Sequence, residues 1–398
     1  MSRSDLSVAH RIWQKLPQEP RRRFFAWATA LVAPSISKTY PSRASGIIVA
    51  GELSRSSGLG EGARLMVKAL RKLNIPCATW DIDTRRLEGD AVGAGAPLVI
   101  HVNAPMLPFV LLRMPRSLRN GRKVIGYWAW ELPIIPKTWT YARRHVHEIW
   151  VPSRFTADAI APLKVPVRVV EHPVGLAGQK PSQKDRAAFN LPDDSLIVLV
   201  SFNLASSMVR KNPIDTIRAF REAFGIRPDR ILLLKIGHTE NYPDDMAAIQ
   251  AAIGGAPNIR LDTAHYSSED TLALMACADI ILSLHKSEGF GLVVAEAMAL
   301  GRCVVATDWS ATAEFMDPSC GLPVAYSLSP ARDPRGVLNM PQTSWANPDV
   351  QSAAQALREA ADNPALRERL GNAAMKRVED RLNGQSLLQA VQASGVQG

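Results

Sequence analysis

The sequence has few cysteines, and none of its apolar runs is long enough to cross a bilayer. Four cysteines occur in 398 residues, far apart, without a CxxC pair or a histidine at metal-ligand spacing. This pattern argues against a disulfide scaffold or a zinc site, and it predicts buried thiols in a reducing compartment. The apolar part of RRRFFAWATALVAP (21–34) is too short for a membrane span, and no convincing cleavage site follows it. We therefore predict a cytoplasmic protein.

Repeats and low-complexity tracts are absent as well. Apolar residues make up 46% of the chain and charged residues 21%, which is typical of folded proteins and excludes disordered or fibrous classes. A chain of 398 residues is too long for one ordinary core, so two domains of Rossmann size are expected.

Positive charge exceeds negative charge by ten, and the excess is concentrated at the start of the chain. Residues 1–45 contain eight Lys and Arg against two acids, which is a surplus of six. A basic segment with aromatic residues could lie on an anionic membrane surface, and the alternative is a helix packed on the domain. A basic chain could also bind nucleic acid, but we find no nucleic-acid-binding motif.

From residue 46 onward, strand-like apolar runs alternate with amphipathic helical patterns. The predicted strands form two series, 46–52, 97–103, 123–130, 148–153 and 167–174, then 195–203, 230–237, 258–262, 278–285 and 302–308. Such alternation predicts parallel sheets with helices on both faces. We predict an α/β protein with two Rossmann-like, doubly wound domains that face a central cleft. The predicted parts are a basic segment (1–45), an N-terminal domain (46–175), a C-terminal domain (176–346) and helices that can return to the N-terminal domain (347–398).

Ligands of open α/β sheets bind beyond the carboxyl ends of the strands, and three stretches of this chain lie there. The first is the SGLGEGAR turn, in which Gly58 and Gly60 precede a helix whose free amides favour an anion. The second contains Arg210 and Lys211, in VRKNP. These two cations could clamp a diphosphate, or they could form a solvated basic turn.

The third stretch, SEGFGLVVAEAMALG, places an acid within an apolar helix. Burial of the Glu296 carboxylate is costly unless a partner donates hydrogen bonds to it. The vicinal hydroxyls of a ribose are such a partner, and a salt bridge to a nearby Lys or Arg is the alternative. A second acid, Glu288, stands before the helix in a glycine-rich turn.

The spacing Glu288-GFGLVVA-Glu296, together with SGLGEGAR, EIWVPSRFTADAI and the RKNP turn, resembles the E-x7-E pattern of retaining glycosyltransferases of family 4. The resemblance extends over most of the chain from about residue 46. It implies the GT-B fold, a nucleotide-activated sugar bound mostly by the C-terminal domain, an acceptor bound mostly by the N-terminal domain, and no metal or other cofactor. It also implies that Glu296 binds the ribose hydroxyls and that Glu288 contacts the donor sugar.

Two further groups of residues receive roles from the same resemblance. Backbone amides for the sugar and the phosphates come from Gly289, Phe290 and Gly291. The groups that meet the departing diphosphate are Arg210 and Lys211 in one domain, and Gly58 and Gly60 in the other. Cations and amides at helix N-termini would stabilise the charge that develops on the diphosphate as it leaves.

One feature departs from the family pattern. Members often have a histidine after the fourth or fifth strand of the first domain, where GYWAWELP here has Ala129. Glu131 is the nearest polar side chain, and His101 stands at another strand end, so we assign both of them supporting roles. The GYWAWELP form also resembles a subgroup that builds bacterial surface polysaccharides. Its tryptophans, Trp128 and Trp130, could line an acceptor groove or pack in the core.

We predict a retaining, metal-independent hexosyltransferase that moves a sugar from a nucleotide-diphosphate donor to a glycan or lipid-linked acceptor. The pathway would be bacterial polysaccharide or lipopolysaccharide synthesis, with mannose from GDP-mannose as the first choice of donor and a UDP-hexose as the other. The alternatives are a sugar-nucleotide epimerase or hydrolase on the same fold, and a non-catalytic sugar-nucleotide-binding partner. The predicted location is cytoplasmic, with peripheral contact at the inner membrane.

Overall fold

The computed structural model describes residues 18–55, 57–178 and 180–397, so the first part of the basic segment lies outside the described residues. The strands, in chain order, are β1 (Ala44–Ser45), β2 (Ile47–Gly51), β3 (Cys77–Asp81), β4 (Leu87–Gly89), β5 (Leu98–His101), β6 (Val124–Tyr127), β7 (Glu148–Val151), β8 (Val167–Val169), β9 (Leu196–Asn203), β10 (Arg230–Gly237), β11 (Ile259–Asp262), β12 (Ile280–Ser283), β13 (Cys303–Thr307), β14 (Leu322–Val324), β15 (Tyr326–Ala331), β16 (Met340–Pro348) and β17 (Val396–Gln397). The α-helices, in chain order, are α1 (Gln18–Val32), α2 (Gly58–Lys72), α3 (Leu107–Arg113), α4 (Arg116–Arg119), α5 (Arg154–Ile160), α6 (Val174–Ala177), α7 (Met208–Lys211), α8 (Pro213–Phe224), α9 (Pro243–Ile253), α10 (Ser268–Cys277), α11 (Leu292–Ala299), α12 (Val350–Asp362), α13 (Pro364–Arg381) and α14 (Gln385–Ala393).

Two parallel sheets organise the chain. The first has the order β4-β3-β2-β5-β6-β7-β8, in which only the edge strand β4 runs antiparallel to its neighbour. The second has the order β11-β10-β9-β12-β13-β14 and is parallel throughout. Their central strands are apolar on both faces because helices cover both sides. The predicted α/β class with two doubly wound domains is confirmed.

An antiparallel hairpin, β15–β16, follows the second sheet and was not predicted. Its apolar residues Ala331, Leu338 and Trp345 pack in the same cluster as Trp128 and Trp130 of the first domain. The hairpin therefore belongs to the second domain in sequence but buries its apolar side against the first domain. Such burial of apolar surface holds the two domains together.

The C-terminal helices lie against both domains. Helix α13 packs on α11 of the second domain, and its end meets the first domain, where the Gly175 amide donates to the Leu382 carbonyl at 2.9 Å. Arg381 and Glu171 form an ion pair at 2.9 Å across the same junction. The final strand, β17, pairs with β1 at the start of the first domain.

Helix α1 packs on α3 and on the 3₁₀ turn Lys137–His145, with the Phe25 ring 5.4 Å from Phe109. Its opposite face exposes Phe24, Trp27 and Leu31, each of them about half exposed. Within the described part of the chain, no helix is long and apolar enough to span a membrane.

Candidate active site

A cavity of about 930 Å³ lies between the two domains, and we call it the first cleft. Its walls come from loops at the carboxyl ends of the strands, such as Glu52 after β2, Asn103 after β5, and the turn after β12. Open α/β sheets bind ligands at this edge because the loops there converge and the helix N-termini point toward it.

Three charged side chains meet on the floor of this cleft. Strands β9 and β12 are neighbours in the sheet, so the loops that follow them lie side by side. Glu288 Oε1 accepts from Lys211 Nζ and forms an ion pair with Arg210 Nη1 at 2.9 Å. Arg210 also donates to the Ser287 carbonyl at 2.7 Å. The VRKNP turn is therefore not a solvated basic turn, because its two cations pair with Glu288.

This arrangement sets the protonation states. Burial alone would raise the pKa of Glu288, but the charges of Arg210 and Lys211 outweigh it and hold that pKa far below its usual range. Burial lowers the pKa of Lys211, and Glu288 opposes this effect. Both cations contact one carboxylate oxygen. In the described ranges the other oxygen, Oε2, has no hydrogen-bond partner, so it can accept from a ligand hydroxyl.

Glu296 lies on α11 and lines the same cleft. No hydrogen bond or ion pair joins its carboxylate to any of the described residues. Burial, with a smaller contribution from the nearby Glu61, raises the pKa of Glu296 to about 8. The salt bridge that was the alternative interpretation is absent from the part of the chain that the structure describes. A carboxyl group in this condition gains stability from a neutral donor, such as a hydroxyl group.

Two helix N-termini also face the cleft. Helix α11 begins after Gly291, and none of the described side chains caps its first turn. Gly289, Phe290 and Gly291 line the cleft beside it. Gly289 packs tightly, because a Cβ there would come within 2.9 Å of the Trp130 carbonyl oxygen. From the first domain, Gly58 opens α2 at the cleft wall.

The glycines of the SGLGEGAR turn differ from each other in position. A Cβ on Gly58 would meet no described atom within 4 Å, so a ligand can approach its backbone. Gly60 does not line the cleft; a Cβ there would lie 2.5 Å from the Glu52 carbonyl oxygen. The role assigned to Gly60 is therefore corrected: it allows close packing inside the turn, and only Gly58 faces the cleft.

Glu131 and His101, the two residues predicted to have supporting roles in the site, lie in different surroundings. Glu131 lines the first cleft, where burial raises its pKa against the opposing effect of Arg210. His101 is fully buried, with its ring stacked on Tyr127 at 4.2 Å and its Nε2 3.3 Å from Met66 Sδ. His101 does not line the first cleft and is fully buried, so it does not contact a ligand there, and a supporting role through its neighbours stays a prediction.

Among the cleft residues that sequence reasoning missed are a histidine and a lysine. His172 lines it after β8, makes an edge contact with the Phe290 ring at 4.8 Å, and has its pKa lowered to about 3 by burial. Lys235 of β10 lines the cleft with its ammonium 4.8 Å from the Tyr266 ring centre. Both residues stand at or near the carboxyl ends of predicted strands, which is the signal that could have found them.

Metal ligation has no candidate in the described ranges, where no group of three or more His, Cys, Asp or Glu is placed to hold an ion. Metal independence itself stays a prediction.

Comparison with solved structures identifies the fold. The chain is similar to sucrose-phosphate synthase from Thermosynechococcus elongatus, with a TM-score of 0.62, 16% identity, and coverage of 87% of this chain and 98% of that chain. HepE of Anabaena, solved with UDP and glucose, has a TM-score of 0.59 at 14% identity, and the match covers 87% of this chain and 99% of HepE. WaaG, a glycosyltransferase involved in lipopolysaccharide biosynthesis, has a TM-score of 0.58 at 15% identity, and the match covers 87% of this chain and 99% of WaaG. The chain has the GT-B fold of these proteins.

The sequence comparison identifies one domain. Residues 201–340 match the family described as glycosyl transferases group 1. No curated protein matches the chain in sequence. The matched segment is similar to a group 1 glycosyltransferase domain, and it includes Arg210, Lys211, Glu288 and Glu296.

Proposed function

We propose that the protein is a retaining, metal-independent hexosyltransferase of family 4 that uses a nucleotide-diphosphate sugar. The observation that carries this proposal is Glu296, a half-buried carboxylate that lines the cleft without a partner among the described residues. The ribose of a nucleotide supplies hydroxyls to it. A diphosphate then lies between the uncapped N-terminus of α11 and the cations Arg210 and Lys211.

The chemistry follows from this placement. As the sugar leaves the diphosphate, positive charge develops on the sugar ring and negative charge on the departing oxygen. Arg210, Lys211 and the amides of α11 stabilise the departing charge without a metal. Glu288 offers its remaining oxygen to a sugar hydroxyl and holds the two cations in position. The donor is GDP-mannose or a UDP-hexose, and the UDP bound by HepE supports the second choice.

The acceptor is a glycan or a lipid-linked glycan in the synthesis of a bacterial polysaccharide or lipopolysaccharide. The role of WaaG in lipopolysaccharide biosynthesis supports this assignment by likeness of fold. An epimerase or hydrolase would need further acid and base groups in the cleft. A non-catalytic binder could use the same cations to hold the diphosphate but would show no acceptor-dependent turnover.

The direct experiment is an assay of UDP- and GDP-hexoses with a bacterial glycan acceptor, in the presence of EDTA. We expect a nucleoside diphosphate to be released in proportion to added acceptor, and NMR to show that the new linkage has the anomeric configuration of the donor. Turnover of the donor that ignores the acceptor would identify an epimerase or hydrolase. An inverted linkage would contradict the retaining mechanism.

We also propose that α1 makes peripheral contact with an anionic inner membrane. Phe24, Trp27 and Leu31 lie on one exposed face of a helix that carries basic residues. We expect salt-sensitive sedimentation with phosphatidylglycerol vesicles, and loss of it in Trp27→Glu. The matched control is Ile226→Glu, which charges a residue that is 73% exposed on the other domain. Equal binding by the two variants would refute this contact.

A further inference from the structure

A second cavity, of about 760 Å³, opens beside the first cleft, and we call it the second cleft. Its walls come from α1, from the loop before α9, and from the β15–β16 hairpin. The two clefts share Asn103, Glu131, Ala205, Ser206 and Arg210, so they meet beside the cation cluster. A molecule in the second cleft therefore reaches the place where the donor sugar leaves its diphosphate.

The lining of the second cleft has the chemistry of a carbohydrate site. Hydroxyl and amide groups come from Ser206, Ser207 and Asn241, and aromatic surface comes mainly from Tyr242, because Trp130 is almost fully buried. Aromatic faces combined with a few polar groups are typical of sites that bind sugars and similar ligands. The volume lies within the range of small-molecule sites.

Most charged side chains of the second cleft have a partner of opposite charge. Arg335 pairs with Asp245, and its guanidinium lies 3.9 Å from the centre of the Tyr242 ring. Asp333 accepts from the backbone amides of Arg335 and Leu338, each at 3.2 Å. Burial lowers the pKa of Arg22, and the charge of Asp333 opposes this effect. The first cleft, by contrast, combines two cations with uncapped helix amides. A phosphate group therefore suits the first cleft, and a neutral, hydroxyl-bearing molecule suits the second.

Glu131 stands at the junction of the two clefts. Within the described ranges, no other residue donates a hydrogen bond to its carboxylate, and only its own backbone amide does so. Arg210 and Lys211 lie close enough to influence its charge, but their ion pairs are with Glu288. An acid with free acceptor oxygens at this junction can receive a hydrogen bond from a hydroxyl of a ligand in the second cleft.

We propose that the second cleft is the acceptor subsite, that it holds a neutral hexose unit of the acceptor glycan, and that Glu131 accepts a hydrogen bond from the attacking hydroxyl. This inference rests on the proposed function. It differs from the sequence-based expectation, since an insertion of the C-terminal domain supplies one wall of the acceptor site. In the transfer, the bond from the anomeric carbon to the diphosphate oxygen breaks and leaves its electron pair on that oxygen. The acceptor oxygen bonds to the anomeric carbon, and its proton passes to the departing diphosphate.

The hairpin offers a variant and a matched control. Val337 lines the second cleft and is 44% exposed, so a larger side chain there fills the cleft without disturbing the core. Leu328 lies on β15 of the same hairpin, is 54% exposed, and lines neither of the two clefts. Val337→Trp and Leu328→Trp therefore add similar bulk to the hairpin, but only the first adds it to the proposed site.

The experiment measures binding of methyl α-glucoside, α-galactoside and α-mannoside by saturation-transfer NMR, with the nucleoside diphosphate bound. We expect at least one hexoside to bind the wild type and Leu328→Trp, and to bind Val337→Trp at least about tenfold more weakly. Nucleotide affinity should be the same in all three proteins. Equal hexoside binding by both variants, or no hexoside binding to the wild type, would overturn the inference.

Two further outcomes separate this inference from the function on which it rests. If the wild type binds glucose 6-phosphate and no neutral hexoside, the second cleft is a phosphate site and the neutral-glycan assignment is wrong. If the wild type binds no nucleoside diphosphate, the proposed function fails first, and the inference fails with it.

Discussion

Glu288→Ala is expected to reduce the transfer rate by a factor on the order of 100 to 1,000 and to lower the free energy of unfolding by about 3 kcal/mol. The substitution leaves the buried Arg210 and the largely buried Lys211 without their counter-charge. Removing one partner of a buried ion pair costs far more than the pair itself contributes, because the remaining charge is poorly solvated. Denaturant unfolding and a transfer assay measure the two effects.

The control for Glu288→Ala is Asp215→Ala, on α8 of the same domain. Asp215 pairs with Arg218 at 3.0 Å, but the arginine side chain is 69% exposed. An exposed pair contributes about 0 to 1 kcal/mol, so this variant should unfold nearly as the wild type does. A loss of stability in Glu288→Ala no larger than in Asp215→Ala would show that the cations do not depend on Glu288.

Acid should act on the wild type through the same cluster. The pKa of Glu288 is lower in the folded state than in the unfolded state. The ionised carboxylate therefore stabilises the folded protein at neutral pH, and this stabilisation is lost as the pH falls below the unfolded-state pKa of about 4.5. This part of the acid sensitivity is expected to be missing from Glu288→Gln, because the amide does not titrate.

Glu296→Gln is expected to make the ligand-free protein more stable than the wild type at alkaline pH. The pKa of Glu296 is about 8 in the folded protein. Between the unfolded value and that value, the folded state binds one more proton than the unfolded state, so wild-type stability falls as the pH rises. The amide of the variant does not titrate. We therefore expect the free energy of unfolding of Glu296→Gln to exceed that of the wild type by about 2 kcal/mol near pH 9. The difference is smaller than the pKa shift alone implies, because water in the cleft solvates the ionised carboxylate.

The measurement for Glu296→Gln is denaturant unfolding at about pH 5 and about pH 9. The free energies of unfolding of the two proteins should be similar at the lower pH and clearly different at the higher pH. Adding the nucleoside diphosphate should flatten the pH dependence of the wild type, because ribose hydroxyls stabilise the ionised carboxylate. Parallel stability curves for the two proteins would contradict the burial of an unpartnered Glu296.

The sequence predicted the architecture well where its strands are apolar on both faces. Strands β9 and β10 were predicted within one residue of their observed ends because both are nearly continuous apolar runs. Strand β3, Cys77–Asp81, was missed because its residues, CATWD, lack the β-branched run that marks a buried strand. The β15–β16 hairpin was missed because prolines and serines interrupt it, and it is held by packing on the other domain.

The candidate site was predicted in part. The sequence predicted Glu288 in the turn after a strand and Glu296 on the helix that follows, and in the structure both side chains line the cleft. The pairing of Glu288 with Lys211 spans 77 residues and depends on β9 and β12 being neighbours, which no local pattern shows. The burial of His101 was missed because the carboxyl end of its strand is covered by Tyr127 and Met66. Residues distant in the sequence cover this strand end, so a local sequence pattern does not reveal its burial.

The most direct test of the account compares a ribonucleoside diphosphate with its 2′-deoxy counterpart by titration calorimetry, in the wild type and in Glu296→Ala. If Glu296 binds the ribose hydroxyls, the wild type should prefer the ribonucleotide by about tenfold, and Glu296→Ala should bind both with the same affinity. Glu61→Gln, which alters another carboxylate of the cleft, should keep the preference. A wild type that binds both nucleotides equally, or a Glu296→Ala variant that still prefers the ribonucleotide, would contradict the assignment of Glu296 to the ribose.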